Sequence, residues 1–286
     1  MSDIHSKRKA WLTGLYGRFS DRDKVLLERA SRMLAENTSG SLTDRAFNIL
    51  EVSRWDKELA YKQAFAFCGS SELNNLHLFP WACTEVHKRT KDDEFLKKVY
   101  PSFKEQENFW FSLSANGAKP VSLNCQLLLL YRALQYIAET LGDKADVPAY
   151  KIKESVLAEE IKNKLWDEKN KCYADFAGEG VLSPVSFLPL FTGIASKERA
   201  KRMAELALGS SNGEYRFLDV FFMVKGLKEY GFDEVADKMK ENMLNLSMGN
   251  KDTFYEYYDT KTGKGKGAKG YCNTAVIIIE LILGYH

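Results

Sequence analysis

No apolar run in this 286-residue sequence approaches the roughly 20 residues that span a bilayer, and the opening MSDIHSKRKAW lacks the apolar core of a secretory leader. Its five cysteines, Cys68, Cys83, Cys125, Cys172 and Cys272, form no C-x-x-C pair and are odd in number. Each sits among apolar or aromatic neighbours, which predicts buried free thiols in a reducing compartment. The four histidines (His5, His77, His87 and His286) show no ligand spacing with cysteine or acid, so the sequence implies neither a metal nor a cofactor. Neither charge predominates: 41 basic and 39 acidic residues are interspersed, and the net +2 leaves no nucleic-acid footprint. The short basic runs Lys7-Arg8-Lys9 and Lys264/Lys266/Lys269 read as solvated charge. Convincing strand alternation is missing too, and the six prolines fall mostly at element boundaries. Together these absences argue against nucleic-acid and membrane partners and predict a cytoplasmic protein.

Helices are what the sequence does supply. Asp21 to Ala35 carries apolar residues at helical spacing behind a Ser20 cap. Further helical segments are predicted over Ser41–Leu50, Trp55–Phe67, Leu76–Thr90, Asp92–Phe111, Ser122–Leu141, Val156–Trp166, Ser196–Leu208, Phe217–Tyr230, Phe232–Leu246 and Thr274–Leu283. Gly142, Gly209 and Gly231 stand where helix ends call for a left-handed residue. That makes eleven or twelve helices with no low-complexity linker between them. Twelve helices of about 12 residues and their loops need roughly 210 to 220 residues, so an all-α, closed ring of six hairpins fits with little left for long roofing loops.

The chemistry concentrates near the C-terminus, in FYEYYDTKTGKGKGAKGYCNTAVIIIELI from Phe254 to Ile282. Glu256 and Asp259 lie among Phe254, Tyr255, Tyr257 and Tyr258; a glycine-dense stretch follows; Tyr271 to Leu283 is then almost wholly apolar, broken by the single charge of Glu280. A carboxylate framed by tyrosines suits a sugar, because the rings cover the apolar faces of a pyranose while the acid handles its hydroxyls or a water. A surface loop ahead of a buried terminal helix would show the same pattern.

The string FYEYYD, then TGKGKGAKGY, then a Thr-Ala helix start resembles the closing motif of the trehalase and glucosidase I/mannosylglycerate hydrolase families, inverting glycosidases built on an (α/α)6 toroid. The resemblance implies that Glu256 is the catalytic base and that Tyr255 and Tyr257 border the sugar. It also implies one toroid domain over residues 1–286, the match being weakest over 1–40. An aromatic residue usually precedes the Thr-Ala pair; here it is Asn273. Trp55-Asp56 resembles an early W-D string whose Asp contributes to sugar binding, although an Asp in the first turn of a helix is also what the helix dipole favours. Pro120-Val121-Ser122-Leu123-Asn124 resembles P-V-D-L-N with Ser122 in place of the acid, where it still suits a helix cap. Leu165-Trp166-Asp167, Tyr173-Ala174-Asp175 and SPVSFLPLFTGIAS (Ser183 to Ser196) match in order. There Tyr173 and Asp175 either face the cavity or, for Asp175, solvent. Tyr215 and Arg216 occupy the place of a sugar-lining Trp-Arg pair, and Asp219 is an extra acid.

One part of the pattern is absent. The families keep their general acid in an E-S-G-x-D string, and the corresponding interval here, Ser112 to Pro120, reads SLSANGAKP without a carboxylate. An inverting glycosidase needs two carboxyl groups roughly 6.5 to 9.5 Å apart. Two expectations follow. The chain is a diverged glycosidase acting on a small α-linked saccharide, with Glu256 as base and Asp175 or Asp219, then Asp56, as acid. Otherwise it is an inactive relative that binds a sugar or other small ligand in the same cavity.

Overall fold

The structure, a computed structural model, describes residues 2–36, 42–70, 78–114, 120–174, 182–209, 214–249 and 251–284. Six helices form an inner ring: α3 (Leu42–Val52), α5 (Phe79–Thr90), α7 (Val121–Leu141), α9 (Leu188–Phe191), α11 (Phe217–Glu229) and α13 (Cys272–Leu283). Each packs on the next, and α13 closes the circle on α3. Around them lie α2 (Asp21–Glu36), α4 (Lys57–Cys68), α6 (Asp93–Ser114), α8 (Asp146–Lys164), α10 (Lys197–Gly209) and α12 (Asp233–Met248), while α1 (Ser2–Leu15) packs outside α2. This is the expected (α/α)6 toroid.

The ring is filled by aromatic side chains from α3, α5, α9 and α11. Phe47 meets Trp81 at 5.8 Å and Phe221 at 6.1 Å between ring centroids, and Phe191 meets Trp81 at 5.8 Å and Phe222 at 4.9 Å. Such tilted and edge-on contacts are the favoured aromatic geometries. Gly226 lets α11 touch α9 directly, since a Cβ there would fall 2.8 Å from both Leu190 Cβ and the Phe191 nitrogen.

Local signals mostly act as their chemistry dictates. Ser20 Oγ accepts from the Asp23 N–H at 3.2 Å, capping α2. Gly142 and Gly231 end helices at φ of 75° and 79°. Ser122 does not cap: Pro120 stands at the N-cap of α7 without a side-chain bond. Helix α8 begins at Asp146, well before the expected Val156, because Pro148 lies in its first turn, where the missing N–H costs nothing. Helix α1 falls within the helical segment expected over residues 1–40, ahead of the helix at Asp21–Glu36. All five cysteines are free thiols, four of them buried. No described helix is long and apolar enough to cross a membrane.

A buried charge cluster ties α3, α5 and α13 together at their C-terminal ends. Glu51 and Glu280 are both fully buried. Arg54 reaches Glu51 and Glu280 at 2.8 Å each, and Arg89 reaches Glu280 at 3.0 Å. Burial, reinforced by the charge of Glu280, pushes the Glu51 carboxyl well above its ordinary range. Burial pulls Glu280 the same way but is outweighed by the hydrogen bond from Glu51 and the charges of Arg54 and Arg89, which hold it below that range. Glu51 Oε1 and Glu280 Oε2 are the two oxygens of the pair without another hydrogen-bond partner. One proton, carried by Glu51, satisfies both.

The two glutamates therefore respond oppositely to substitution. Glu280→Gln should cost about 3–5 kcal/mol in urea denaturation, because two guanidiniums lose their carboxylate in the interior. Glu51→Gln mimics the protonated acid and should be nearly neutral. The stabilisation from Glu51 declines as pH rises from the ordinary carboxylate range through its raised folded pKa, so Glu51→Gln should flatten the alkaline side of the stability curve. A larger loss for Glu51→Gln than for Glu280→Gln would reverse the assignment.

Candidate active site

A three-stranded antiparallel sheet sits over the N-terminal ends of α11 and α13. It is built from β3 (Glu214–Arg216), β4 (Tyr255–Asp259) and β5 (Gly265–Lys269), after a two-residue pair β1 (Trp166–Asp167) and β2 (Cys172–Tyr173) earlier in the chain. Strand β3 leads straight into α11, and the β4–β5 hairpin leads into α13. These strands correct the expectation of no strand structure; they are short, and β5 reads GKGAK.

Glu256 stands at an irregularity in the β4–β5 register, between Tyr255 and Tyr257. Such a bulge re-aims one side chain out of the alternation. Arg216 pairs with Tyr257 in the backbone ladder, and its Nη2 lies 3.2 Å from Glu256 Oε1. The Ala268 N–H donates to Glu256 Oε2 at 3.4 Å. The carboxylate is thus held at both oxygens while its side chain keeps 22% of its surface exposed.

The glycines of β5 make room for this arrangement. A Cβ at Gly265 would land 2.2 Å from the Tyr255 ring, and one at Gly267 would land 2.6 Å from the Tyr257 ring and 2.8 Å from Glu256 Oε2. Gly267 also has a φ of 73°. Tyr258 is fully buried against Phe217, and its hydroxyl accepts from the Tyr255 N–H at 3.1 Å. Thr274, in the first turn of α13, donates to the Tyr255 carbonyl at 2.7 Å and fixes the hairpin to the ring. Asp259 closes the turn: the Thr262 N–H, Lys266 and the Lys261 N–H pull its carboxyl down to about 2.

Asp219 lies in the first turn of α11, three residues after Arg216, and is half-buried. Burial pushes its carboxyl up, and the nearby Arg216 charge works against that. Arg216 therefore contacts Glu256 and acts electrostatically on Asp219, and Tyr255 and Tyr257 are the chain neighbours of the glutamate.

Other expected residues lie elsewhere. Asp56 is buried at the N-cap of α4, where it accepts from the Leu59 N–H and pairs with Lys7, both at 3.1 Å. Trp55 packs on Trp11 at 5.0 Å. Both follow Arg54 at the C-terminal end of α3, the opposite end of the ring from Glu256, which corrects their assignment to the sugar site. Tyr173 is also corrected: it is fully buried, edge-on to Trp166 at 5.0 Å, with no surface for a ligand. Tyr215 contributes its backbone to the β3–β4 ladder, opposite Tyr258. Asp175 and the 115–119 segment lie outside the described residues. Among the described residues no cluster of histidine, cysteine or acid could hold a metal.

The comparisons with known proteins agree with this architecture. The trehalase family profile matches residues 111–216. A mannosylglycerate hydrolase from Rubrobacter radiotolerans is 27% identical over 195 residues, covering 57% of this chain and 43% of the relative. Its counterpart from Thermus thermophilus is 30% identical over 159 residues, 46% of this chain and 38% of the relative. The chain thus spans less than half the length of these curated relatives in sequence alignment. The crystal structure of a GH63 mannosylglycerate hydrolase, also from Thermus thermophilus, superposes with a TM-score of 0.73 at 15% identity, covering 89% of this chain and 99% of that one. The chain shares the toroid fold of that structure and is similar in sequence, over part of its length, to trehalase and to the mannosylglycerate hydrolases. The low identity of the superposed structure speaks to the fold alone.

Residues Gly267 and Ala268 carry positions that sequence reasoning passed over. Their signal was the spacing of two in Gly263, Gly265 and Gly267, which is the period of one strand face. Gly267→Ala should cost roughly 1–3 kcal/mol, since the left-handed strain adds to displacement of Glu256 and Tyr257. Gly263→Ala, at a φ of 69° but with only a 3.7 Å neighbour, should cost no more than the lower end of that range. Equal losses for the two in urea melts would show that the contact with Glu256 adds nothing.

Proposed function

We propose that this toroid hydrolyses a small α-linked saccharide at the mouth carrying the three-stranded sheet, with inversion at the anomeric carbon. Glu256 is the general base, held by Arg216 and the Ala268 N–H so that it can orient and deprotonate a water. Asp219 is the general acid that protonates the leaving oxygen. Tyr255 and Tyr257 flank the sugar. The observation that carries this reading is the Arg216–Glu256 contact of 3.2 Å next to a half-buried Asp219 whose carboxyl is pushed upward by burial. Hydrolysis by inversion needs one carboxylate ionised and one carboxylic acid protonated, and burial favours the protonated form of Asp219. The named activity of the mannosylglycerate hydrolase relatives supports a small glycoside as substrate.

A second reading is favoured by a specific observation, the carboxylate-free Ser112–Pro120 interval. On that reading the mouth binds a saccharide without cleaving it.

The test is to incubate the protein with mannosylglycerate, trehalose and glucose-capped oligosaccharides and follow the released anomer by proton NMR. Release of the inverted anomer is expected. Glu256→Gln and Asp219→Asn should each lower kcat/KM roughly a hundred- to ten-thousand-fold with the fold intact. Activity should fall as pH rises through the raised pKa of Asp219, and that alkaline limb should be absent from the residual activity of Asp219→Asn. Saturable binding without release would establish the second reading. Neither binding nor release would overturn both.

A further inference from the structure

At the opposite end of the ring the inner helices frame a cavity of about 640 Å³. Its walls come from α5, α7, the turn after α9, and α11, through Trp81, Tyr136, Phe191 and a set of charged residues. Lys225 and Lys228 lie nine and twelve residues beyond Arg216, about 14 to 18 Å along the axis of α11 at 1.5 Å per residue. The cavity is therefore separate from the mouth that holds Glu256.

Its charge balance decides which ligands suit it. Four cations line it: Lys88, Arg132, Lys225 and Lys228. Glu85 and Glu229 line it with them, Lys88 pairs with Glu85 at 2.7 Å, and behind the wall Arg132 pairs with Glu154 and Lys228 with Asp237, both at 2.8 Å. Four cations thus meet four carboxylates. Burial pulls the Lys225 amine down to about 8, which trims the positive charge further near neutral pH. The C-terminal ends of the surrounding helices add negative potential. Neither an anion nor a cation has a net field to follow.

What remains is a rim of alternating donors and acceptors around half-buried aromatic rings. Trp81 and Phe191 meet edge-on at 5.8 Å, and Phe191 and Lys225 both line the cavity where Gly226 brings α11 against α9. Vicinal hydroxyls take a donor and an acceptor side by side, as Lys88–Glu85 offers, and the C–H face of a pyranose lies on an aromatic ring. We propose that this far-end cavity is a second, non-catalytic saccharide site, sized for a neutral mono- or disaccharide. It does not depend on hydrolysis at the mouth.

The test follows the Trp81 indole N–H by NMR and saccharide binding by calorimetry, with trehalose and methyl α-glucoside as probes. Binding should shift the Trp81 signal in wild type and persist in Glu256→Gln and in Arg216→Ala. The double change Glu85→Gln with Lys228→Ala should weaken this binding at least ten-fold and leave any activity at the mouth unchanged. A Trp81 shift in wild type carries the proposal even if that double variant fails to fold. Binding lost in the mouth variants, a Trp81 signal moved by inorganic phosphate but by neither sugar, or no shift at all would overturn it.

Discussion

Apolar burial has no direction, and α13 is buried on every side from Cys272 to Leu281, so packing alone does not say how that helix is turned about its axis. Two polar contacts do. Near its C-terminal end Glu280 sits between Arg54 and Arg89, and in its first turn Thr274 donates to the Tyr255 carbonyl. A slip of one residue rotates a helix by about 100°, which would withdraw Glu280 from both guanidiniums and unhook the hairpin that carries Glu256. Replacing a buried ion cluster by apolar residues is often neutral or stabilising, so its value here lies in registry rather than in stability. The orientation of the candidate base thus depends on charges at the other end of the molecule.

The two ends also differ in the sign of charge they favour. Arg89 donates to the Leu50 carbonyl near the end of α3, Arg54 to the Gly284 carbonyl past α13, and Arg132 to the Thr192 carbonyl past α9. Helix C-termini expose unpaired carbonyls and negative potential, and guanidiniums answer both. The mouth gathers helix N-termini, where Asp219 occupies the first turn of α11. Cations therefore hold the far end together, while at the mouth burial rather than the helix end dominates the setting of Asp219.

Much of the ring was legible because helical spacing survives in single segments such as Asp21–Ala35, and because an apolar stretch like Tyr271–Leu283 has to be buried. The significance of Glu280 was visible only in part: a lone charge in such a stretch signals a buried partner, but its partners lie 191 and 226 residues away. Strands β4 and β5 were hidden for a different reason. Tyr255, Tyr257 and Tyr258 face Lys269, Lys266 and Gly265, so apolar and polar residues do not alternate along β5. Trp55-Asp56 shows the limit of short motifs. The residue types of a sugar contact are also those of a helix cap and an aromatic packing pair, and here Lys7 and Trp11 from α1 claim them.

Of the three carboxylates expected as the acid, Asp175 lies outside the described residues, while Asp56 and Asp219 can be weighed, together with Asp259 beside Glu256. Asp56 is spent on a cap and an ion pair at the wrong end of the ring. Asp259 is held by its turn hydrogen bonds far below neutrality, which suits a structural anion and disqualifies a proton donor. Asp219 lies in a setting that favours its protonated form, on the helix that follows Arg216, the residue holding Glu256. A carboxyl moved from the α6–α7 connection to the first turn of α11 would still approach the mouth from the ring, but from a different inner helix.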